Sequence, residues 1–254
     1  MHPDLIELHA KLEDVHWWFV GRRRIIAELV HALVPPDRGA IVCDVGCGTG
    51  ATVGALLSGY GCIGIDRSPE AVRLASIRFP GATFLHGSPP ADHTDAIHAA
   101  DVVLLMDVLE HVEQDAELLH ALVRVTRPRA HLVVTVPADP RLWSPHDDRF
   151  GHHRRYEPQT LAALWRGCPV SPLVVSHFNA RLYPLARAVR AAARRRGRSS
   201  GEAGTDLRLP PKPVNALLAR VFAGEAEPLR RALTRGASAY HRGLSLLAVL
   251  RREA

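Results

Sequence analysis

Apolar and polar positions along this chain change period several times, and each change marks an element. From residue 4 to 34 the apolar positions recur three and four apart, a helical period broken near His16, Trp17, Trp18 and Phe19. Pro35-Pro36-Asp37 closes that region. Short apolar runs then alternate with helical stretches. Strands are predicted at 40–44, 62–66, 83–86, 101–106 and 130–136, and helices run to 58, to 78 and from the fourth strand to about 126. Val102-Val103-Leu104-Leu105-Met106 is continuously apolar, as a central strand buried on both faces requires. The alternation predicts a parallel sheet with helices on both sides. Residues 137–156 are polar and without period, a long loop of the kind that carries function. Beyond it the pattern predicts a helix over 158–166, a strand over 170–178, a basic amphipathic helix over 181–196, a flexible linker over 198–213, a helix over 214–235 and a last strand over 244–250.

The first strand runs into Asp44-Val45-Gly46-Cys47-Gly48-Thr49-Gly50 and then a helix. A glycine-rich strand-to-helix turn lets backbone N–H groups approach a nucleotide closely. Gly46, Gly48 and Gly50 are two apart, not in the G-x-G-x-x-G spacing of a pyrophosphate cradle. Asp44 adds a carboxylate that suits a cationic amino group and repels a pyrophosphate. S-adenosylmethionine (SAM), with an ammonium, a sulfonium and no phosphate, fits both features. Twenty positions after Gly46, the second strand ends in Asp66, placed to accept from both ribose hydroxyls, with Arg67 beside it. Against this stand an ordinary tight turn at the glycines and helix capping at Asp66, a duty that Ser68 serves better.

Composition narrows the class. The chain has 254 residues and 47% apolar positions, enough for one buried α/β domain with appendages. No stretch approaches eighteen uninterrupted apolar residues, and no basic-then-apolar leader is visible at the start, so a cytoplasmic protein is expected. Cys43, Cys47, Cys62 and Cys168 lack C-x-x-C spacing and read as packed, reduced thiols. The net charge is +6, nearly all from arginine, since Lys11 and Lys212 are the only lysines. The excess gathers between Arg181 and Arg198, where Tyr183 is the single aromatic. No specific nucleic-acid partner is therefore expected, and a solvated face or a weak peripheral membrane contact remains.

DVGCGTG, the acid-ended GIDRS and DVVLLMDVLEHV together resemble class I SAM-dependent methyltransferases over residues 40–136. The resemblance implies a Rossmann-like α/β fold: a seven-stranded, mostly parallel sheet flanked by helices, with one antiparallel strand, for which 244–250 is the candidate. It also implies N-terminal lid helices and a C-terminal helical extension, hence a lid at 1–36, a core at 37–178 with an acceptor loop at 137–156, and an extension at 179–254. Ser88 is implied to lie near the adenine, although Gly87-Ser88-Pro89-Pro90 departs from the acidic residue the family more often carries there. HWWFVGRRRII (16–26) with the loop 137–156 looks like a bacterial branch of small-molecule methyltransferases, linked to natural-product, lipid or glycan pathways. In that branch Trp18 or Phe19 would cover the sulfonium and Arg22 would pair the SAM carboxylate. Simple docking of the helix onto the sheet is the compatible alternative.

Asp107, Glu110 and His111 stand at i, i+3 and i+4 after the fourth strand, at the edge where open α/β sheets bind ligands. Three readings stay open. Asp107-x-x-Glu110 makes a capping box. The trio resembles the Glu-x-x-Glu-His segment of ubiquinone-pathway O-methyltransferases, which implies a divalent metal on Asp107, Glu110 and His111. Alternatively His111 is a general base for an acceptor hydroxyl. His146, His152 and His153 join either site or lie on the surface, and Arg141, Arg149, Arg154 and Arg155 suit an anionic acceptor group. The expectation is methyl transfer from SAM to a small-molecule acceptor, O-methylation ahead of N- or C-methylation, with His111, His146 and His152 as catalytic candidates and Asp107 also at the cofactor. An NAD(P)-dependent oxidoreductase is disfavoured by Asp44 and the glycine spacing. A SAM-binding scaffold without turnover is the reading from another class.

Overall fold

The structure, a computed structural model, describes residues 3–195 and 207–254. Seven strands form one sheet: β1 (Ile41–Val45), β2 (Gly61–Asp66), β3 (Thr83–His86), β4 (Val102–Met106), β5 (His131–Pro137), β6 (Val170–Phe178) and β7 (Ser245–Arg252). Their order is β3-β2-β1-β4-β5-β7-β6. Every pairing is parallel except those of β7, which runs antiparallel to β5 and to β6. The chain leaves β1 towards β2 on one side and returns to β4 on the other. The strand order therefore reverses between β1 and β4, opening a crevice at their carboxyl ends.

Helices cover both faces, as the doubly apolar strands demand. On one face α2 (Trp17–Leu33), α10 (Lys212–Ala223) and α11 (Ala226–Arg235) pack through Ile25, Leu29, Phe222 and Leu229 against Val42, Leu104 and Val249. On the other, α5 (Thr94–Ala99), α6 (Asp115–Val125) and α8 (Pro158–Ala163) bring Ile97, Leu119, Leu122 and Leu161 onto Cys43, Val103 and Leu105. The remaining helices are α1 (Pro3–Leu12), α3 (Ala51–Leu56), α4 (Pro69–Arg78), α7 (Pro145–Phe150) and α9 (Tyr183–Arg195). Ser68 caps α4 by accepting from the Ala71 N–H at 3.2 Å. All four cysteines are free thiols. No described helix is long and apolar enough to cross a membrane.

Several expectations need correction, among them the single helix over 214–235, which is split into α10 and α11. The helix predicted from the end of β4 to residue 126 is broken: a short 3-10 turn (Leu109–His111) precedes α6, which starts only at Asp115. Asp107 itself has φ +58°, a left-handed backbone that cannot serve as the N-cap of a capping box. The loop 137–156 is not structureless, since it holds a 3-10 turn (Pro140–Leu142) and α7. Much of the expected linker, 198–206, lies outside the described residues, and its end is already helical because α10 begins at Lys212.

Candidate functional site

One cavity of about 1150 Å³ lies along the carboxyl edge of the sheet. Its floor is the turn after β1. Gly46 (φ +78°) and Gly48 (φ +54°) hold conformations that L side chains rarely adopt. A Cβ on Gly46 would sit 2.5 Å from Val108 Cγ2, whereas a Cβ on Gly48 would meet nothing within 4 Å, so that side of the Gly48 backbone is open to a ligand. Gly50 (φ +86°) sits behind the floor and starts α3. Asp66 braces the turn. Its Oδ2 accepts from the Gly48 N–H at 2.8 Å and its Oδ1 from the Ser68 N–H at 2.8 Å. Each oxygen keeps a lone pair for a ribose hydroxyl.

Asp44 is the anomaly of the floor. Its carboxylate is buried, and Oδ1 has no hydrogen-bond partner. Burial pushes its carboxyl up to about 7, helped by the charges of Asp66 and Glu13 and opposed by Arg22. An unpartnered carboxyl facing a cavity fits an ammonium ligand, and with the open backbone at Gly48 and the edge at Asp66 these residues fit SAM.

The roof comes from both outer segments. Ile6, His9, Glu13, Trp18, Phe19 and Arg22 line the cavity from α1, the turn after it and α2, and His146, Phe150, His152 and Arg155 line it from the 137–156 segment. Glu13 ties roof to floor: its Oε1 accepts from Thr49 Oγ1 and from Arg78 Nη1, while Arg78 also donates to the Thr49 carbonyl at 2.8 Å. Arg22 lies over the Trp18 ring at 4.5 Å and pairs with Asp107. Asp107 Oδ1 accepts from Thr135 Oγ1 at 3.2 Å. The partner of Arg22 in this structure is thus a protein carboxylate, on the neighbouring strand end.

The acceptor side is a cluster of histidines. His111 and His152 meet edge to face, 4.7 Å between ring centres, and His146 lies 6.1 Å from His152. Burial, followed by the neighbouring His152, pushes the His111 imidazole down to about 4. Burial likewise takes His9 to about 3. His152 is held differently. Its Nδ1 lies 2.9 Å from Asp147 Oδ1, and Asp147 is fully buried. Arg155 grips the same carboxylate with Nε at 2.8 Å and Nη2 at 3.0 Å. Burial alone would raise the Asp147 carboxyl, but these hydrogen bonds and the Arg155 charge hold it below the usual carboxylate range. A carboxylate on Nδ1 selects the tautomer in which Nε2 is the free acceptor.

Glu110 is buried with neither carboxyl oxygen partnered, and burial next to Asp107 raises it well above the usual range. Among the described residues, Glu110, His111 and His152 form the group whose candidate metal-ligand atoms all lie within 4.8 Å of one another. Asp107, expected in that set, is instead occupied by Arg22 and Thr135.

Of the residues expected at the cofactor, Trp18, Arg22, Asp44, Gly46, Cys47, Gly48, Asp66, Arg67 and Asp107 line the cavity, as do the catalytic candidates His111, His146 and His152. Gly50 and Ser88 do not: Gly50 faces Phe84 and Ala75, and the Ser88 N–H is spent on Asp92 Oδ2 at 2.8 Å. Sequence reasoning missed His9, Glu13 and Asp147. His9 and Glu13 belong to an ordinary amphipathic helix pattern. Asp147 lies five residues before His152, but only the fold of α7 and its C-terminal Gly151 turn brings them together.

Residues 19–168 match the family described as the methyltransferase domain. The chain is 31% identical over 108 residues to norajmaline N-methyltransferase of Rauvolfia serpentina, covering 39% of this chain and 37% of that one. It is 30% identical over 105 residues to the mitochondrial ubiquinone biosynthesis O-methyltransferase of Schizosaccharomyces pombe, covering 38% of each. The matched segment thus spans well under half the length of these relatives. In three dimensions it resembles a chain from the complex of the Haloferax volcanii Trm112 methyltransferase activator with a methyltransferase. That likeness has a TM-score of 0.57 at 18% identity, covers 99% of this chain and 95% of the other, and speaks for the fold.

Proposed function

The chain belongs to the methyltransferase-domain family, and from that membership we propose that it transfers a methyl group from SAM to the hydroxyl of a small-molecule acceptor. The observation that carries this reading is the buried, unpartnered Asp44 carboxyl in the same cavity as the Asp147–His152 pair. Bound SAM supplies a methyl group already activated by its sulfonium. Asp44 takes the ammonium, Asp66 the ribose and the Gly48 backbone the body of the ligand. Trp18 and Phe19 shield the reaction from water. Holding donor and acceptor in line is worth up to roughly 7–11 kcal/mol.

The acceptor hydroxyl must lose its proton, since a phenol has a pKa of about 10. His152 Nε2, oriented by Asp147 through Nδ1, is the base that the hydrogen-bond pattern supports. His111, neutral because it is buried, and His146 stand beside it to orient the acceptor. Exposed Arg149 at the cavity wall suits an anionic acceptor group. A second reading rests on the convergence of Glu110, His111 and His152: these three would hold a divalent cation that lowers the acceptor's pKa.

Calorimetric titration with SAM, S-adenosylhomocysteine and NADH tests the cofactor. Heat with the first two and none with NADH is expected, and the reverse overturns the reading. Mass spectrometry of candidate phenols and alcohols, incubated with SAM and enzyme, then looks for the gain of one methyl group on oxygen.

A further inference from the structure

The cavity does not end at the histidines. Leu182 just before α9, Leu185, Ala186 and Val189 of α9, and Leu207 and Leu218 continue its lining. Leu185 and Val189 are also 55% and 46% exposed, so the cavity reaches the surface along α9. Seven large apolar residues are exposed among the described residues, and five of them are Leu185, Val189, Leu209, Val214 and Leu217. A sixth, Val15, is fastened to the same place, because its carbonyl accepts from Asn215 Nδ2 at 2.7 Å. Val214 stands one helical turn from the lining Leu218 and Leu217 next to it, which sets these exposed residues beside the opening.

The two helices at this opening carry charge of one sign. Neither α9 nor α10 contains a carboxylate. Arg181, Arg187, Arg208, Lys212 and Arg220 are exposed there. Two helices with apolar side chains in solvent and cations as their only charged residues have the make-up of a surface that lies in a membrane interface. A solvated protein face has no such need for exposed leucines.

We propose that the α9–α10 face seats the protein on an anionic lipid surface, with the cavity mouth turned towards the bilayer. Resting on the methyl-transfer reading, this makes the acceptor an amphiphile, its tail held along Leu185, Val189 and Leu218 and its head at the histidine cluster.

Vesicle flotation tests it with the full chain, using phosphatidylglycerol mixed into phosphatidylcholine against phosphatidylcholine alone. The protein floats with the anionic vesicles and is released by salt. The double variant V214E/L217E partitions at least about tenfold less, since burying those side chains supplies the apolar part of the affinity. Its SAM titration stays as in the parent, because neither residue lines the cavity. No flotation of the parent, or flotation unchanged in the variant, overturns the proposal. So does a dimer in light scattering that V214E/L217E dissociates, since the face would then cover a second copy. Absence of heat with SAM sinks the cofactor reading alone and leaves the flotation result standing.

Discussion

Arg22 of α2 and Asp107 at the end of β4 form an ion pair across the cavity, joining residues 85 positions apart. The two side chains keep only 12% and 19% of their surfaces in solvent. The pair therefore latches the N-terminal roof to the centre of the sheet, and the left-handed backbone of Asp107 is what turns its carboxylate up to meet the guanidinium.

Removing that latch has two readouts. Arg22→Ala leaves Asp107 partly buried without its cation and Trp18 without its stacked partner, at a cost of roughly 1–3 kcal/mol. At about 2–4 °C per kcal/mol for a chain of this size, the melting temperature falls by several degrees. SAM affinity falls by about tenfold, because the aromatic roof loses its anchor. Arg22→Lys restores charge but not the planar stack, so it recovers part of the stability. An unaltered melting temperature together with unaltered affinity would show that α2 is held without the pair.

With Asp44 as the proposed seat of the ammonium, SAM binding is expected to depend on pH. With its carboxyl at about 7, the ligand-free protein carries a neutral acid below that pH. An ammonium requires the carboxylate, so affinity strengthens as pH rises from about 6 to 7, approaching tenfold per unit at the lower end. It weakens again as the ligand's own α-amino group loses its proton near 8. Stability of the free protein moves the other way. A carboxyl raised from its ordinary 3.8 favours the fold while protonated, and that contribution is lost as pH rises from about 4 through 7. The melting-temperature increment from S-adenosylhomocysteine therefore grows towards pH 7. Asp44→Asn abolishes the dependence and most of the binding. A flat affinity between pH 6 and 7.5 would mean that another group takes the ammonium.

The turn itself is testable at one atom. Gly46→Ala places a methyl 2.5 Å from Val108 Cγ2, in a backbone region that costs an L residue about 1–3 kcal/mol. Both Val108 and the turn border the cavity, so thermal stability and SAM affinity fall together. A variant with parental affinity would show that the turn does not have to keep its shape.

Much of this was legible because it was written in local pattern. The alternation of short apolar runs with helical stretches predicted the sheet, and the strand read over 244–250 coincides with the antiparallel β7 over residues 245–250. Glycines two apart and an acid at each strand end marked the floor of the cavity. What sequence spacing misread was the region after β4. Asp107, Glu110 and His111 have helical spacing, but with the left-handed residue at 107 and the 3-10 turn at Leu109–His111, Asp107 goes to Arg22 and Thr135, while Glu110 and His111 gather beside His152. The Arg22–Asp107 latch, the Glu13–Arg78–Thr49 tie and the Asp147–His152 pair are products of tertiary packing or of a turn that propensity does not specify.

The last prediction separates the histidines. With Nδ1 committed to Asp147, His152 offers one nitrogen to the acceptor, and His152→Ala lowers turnover by about 10²-fold or more with SAM affinity intact. Asp147→Asn is the subtler variant. It keeps the shape but replaces the anionic acceptor at Nδ1 and leaves Arg155 without its counter-charge, so the ring loses its fixed tautomer. A fall in kcat larger than the rise in KM is expected, together with lower stability. His111→Ala, which removes a neighbour of His152 without touching Asp147, has the smaller effect if His152 works as the base. Chelation then divides the two chemistries. Activity indifferent to EDTA in the parent leaves His152 as the base. Activity lost to EDTA and restored by a divalent ion, with His111→Ala and His152→Ala equally damaged, would assign both to a metal shared with Glu110 and overturn the base. Full turnover in His152→Ala would remove His152 from the chemistry, and full turnover in His111→Ala as well would leave donor–acceptor alignment as the main source of catalysis.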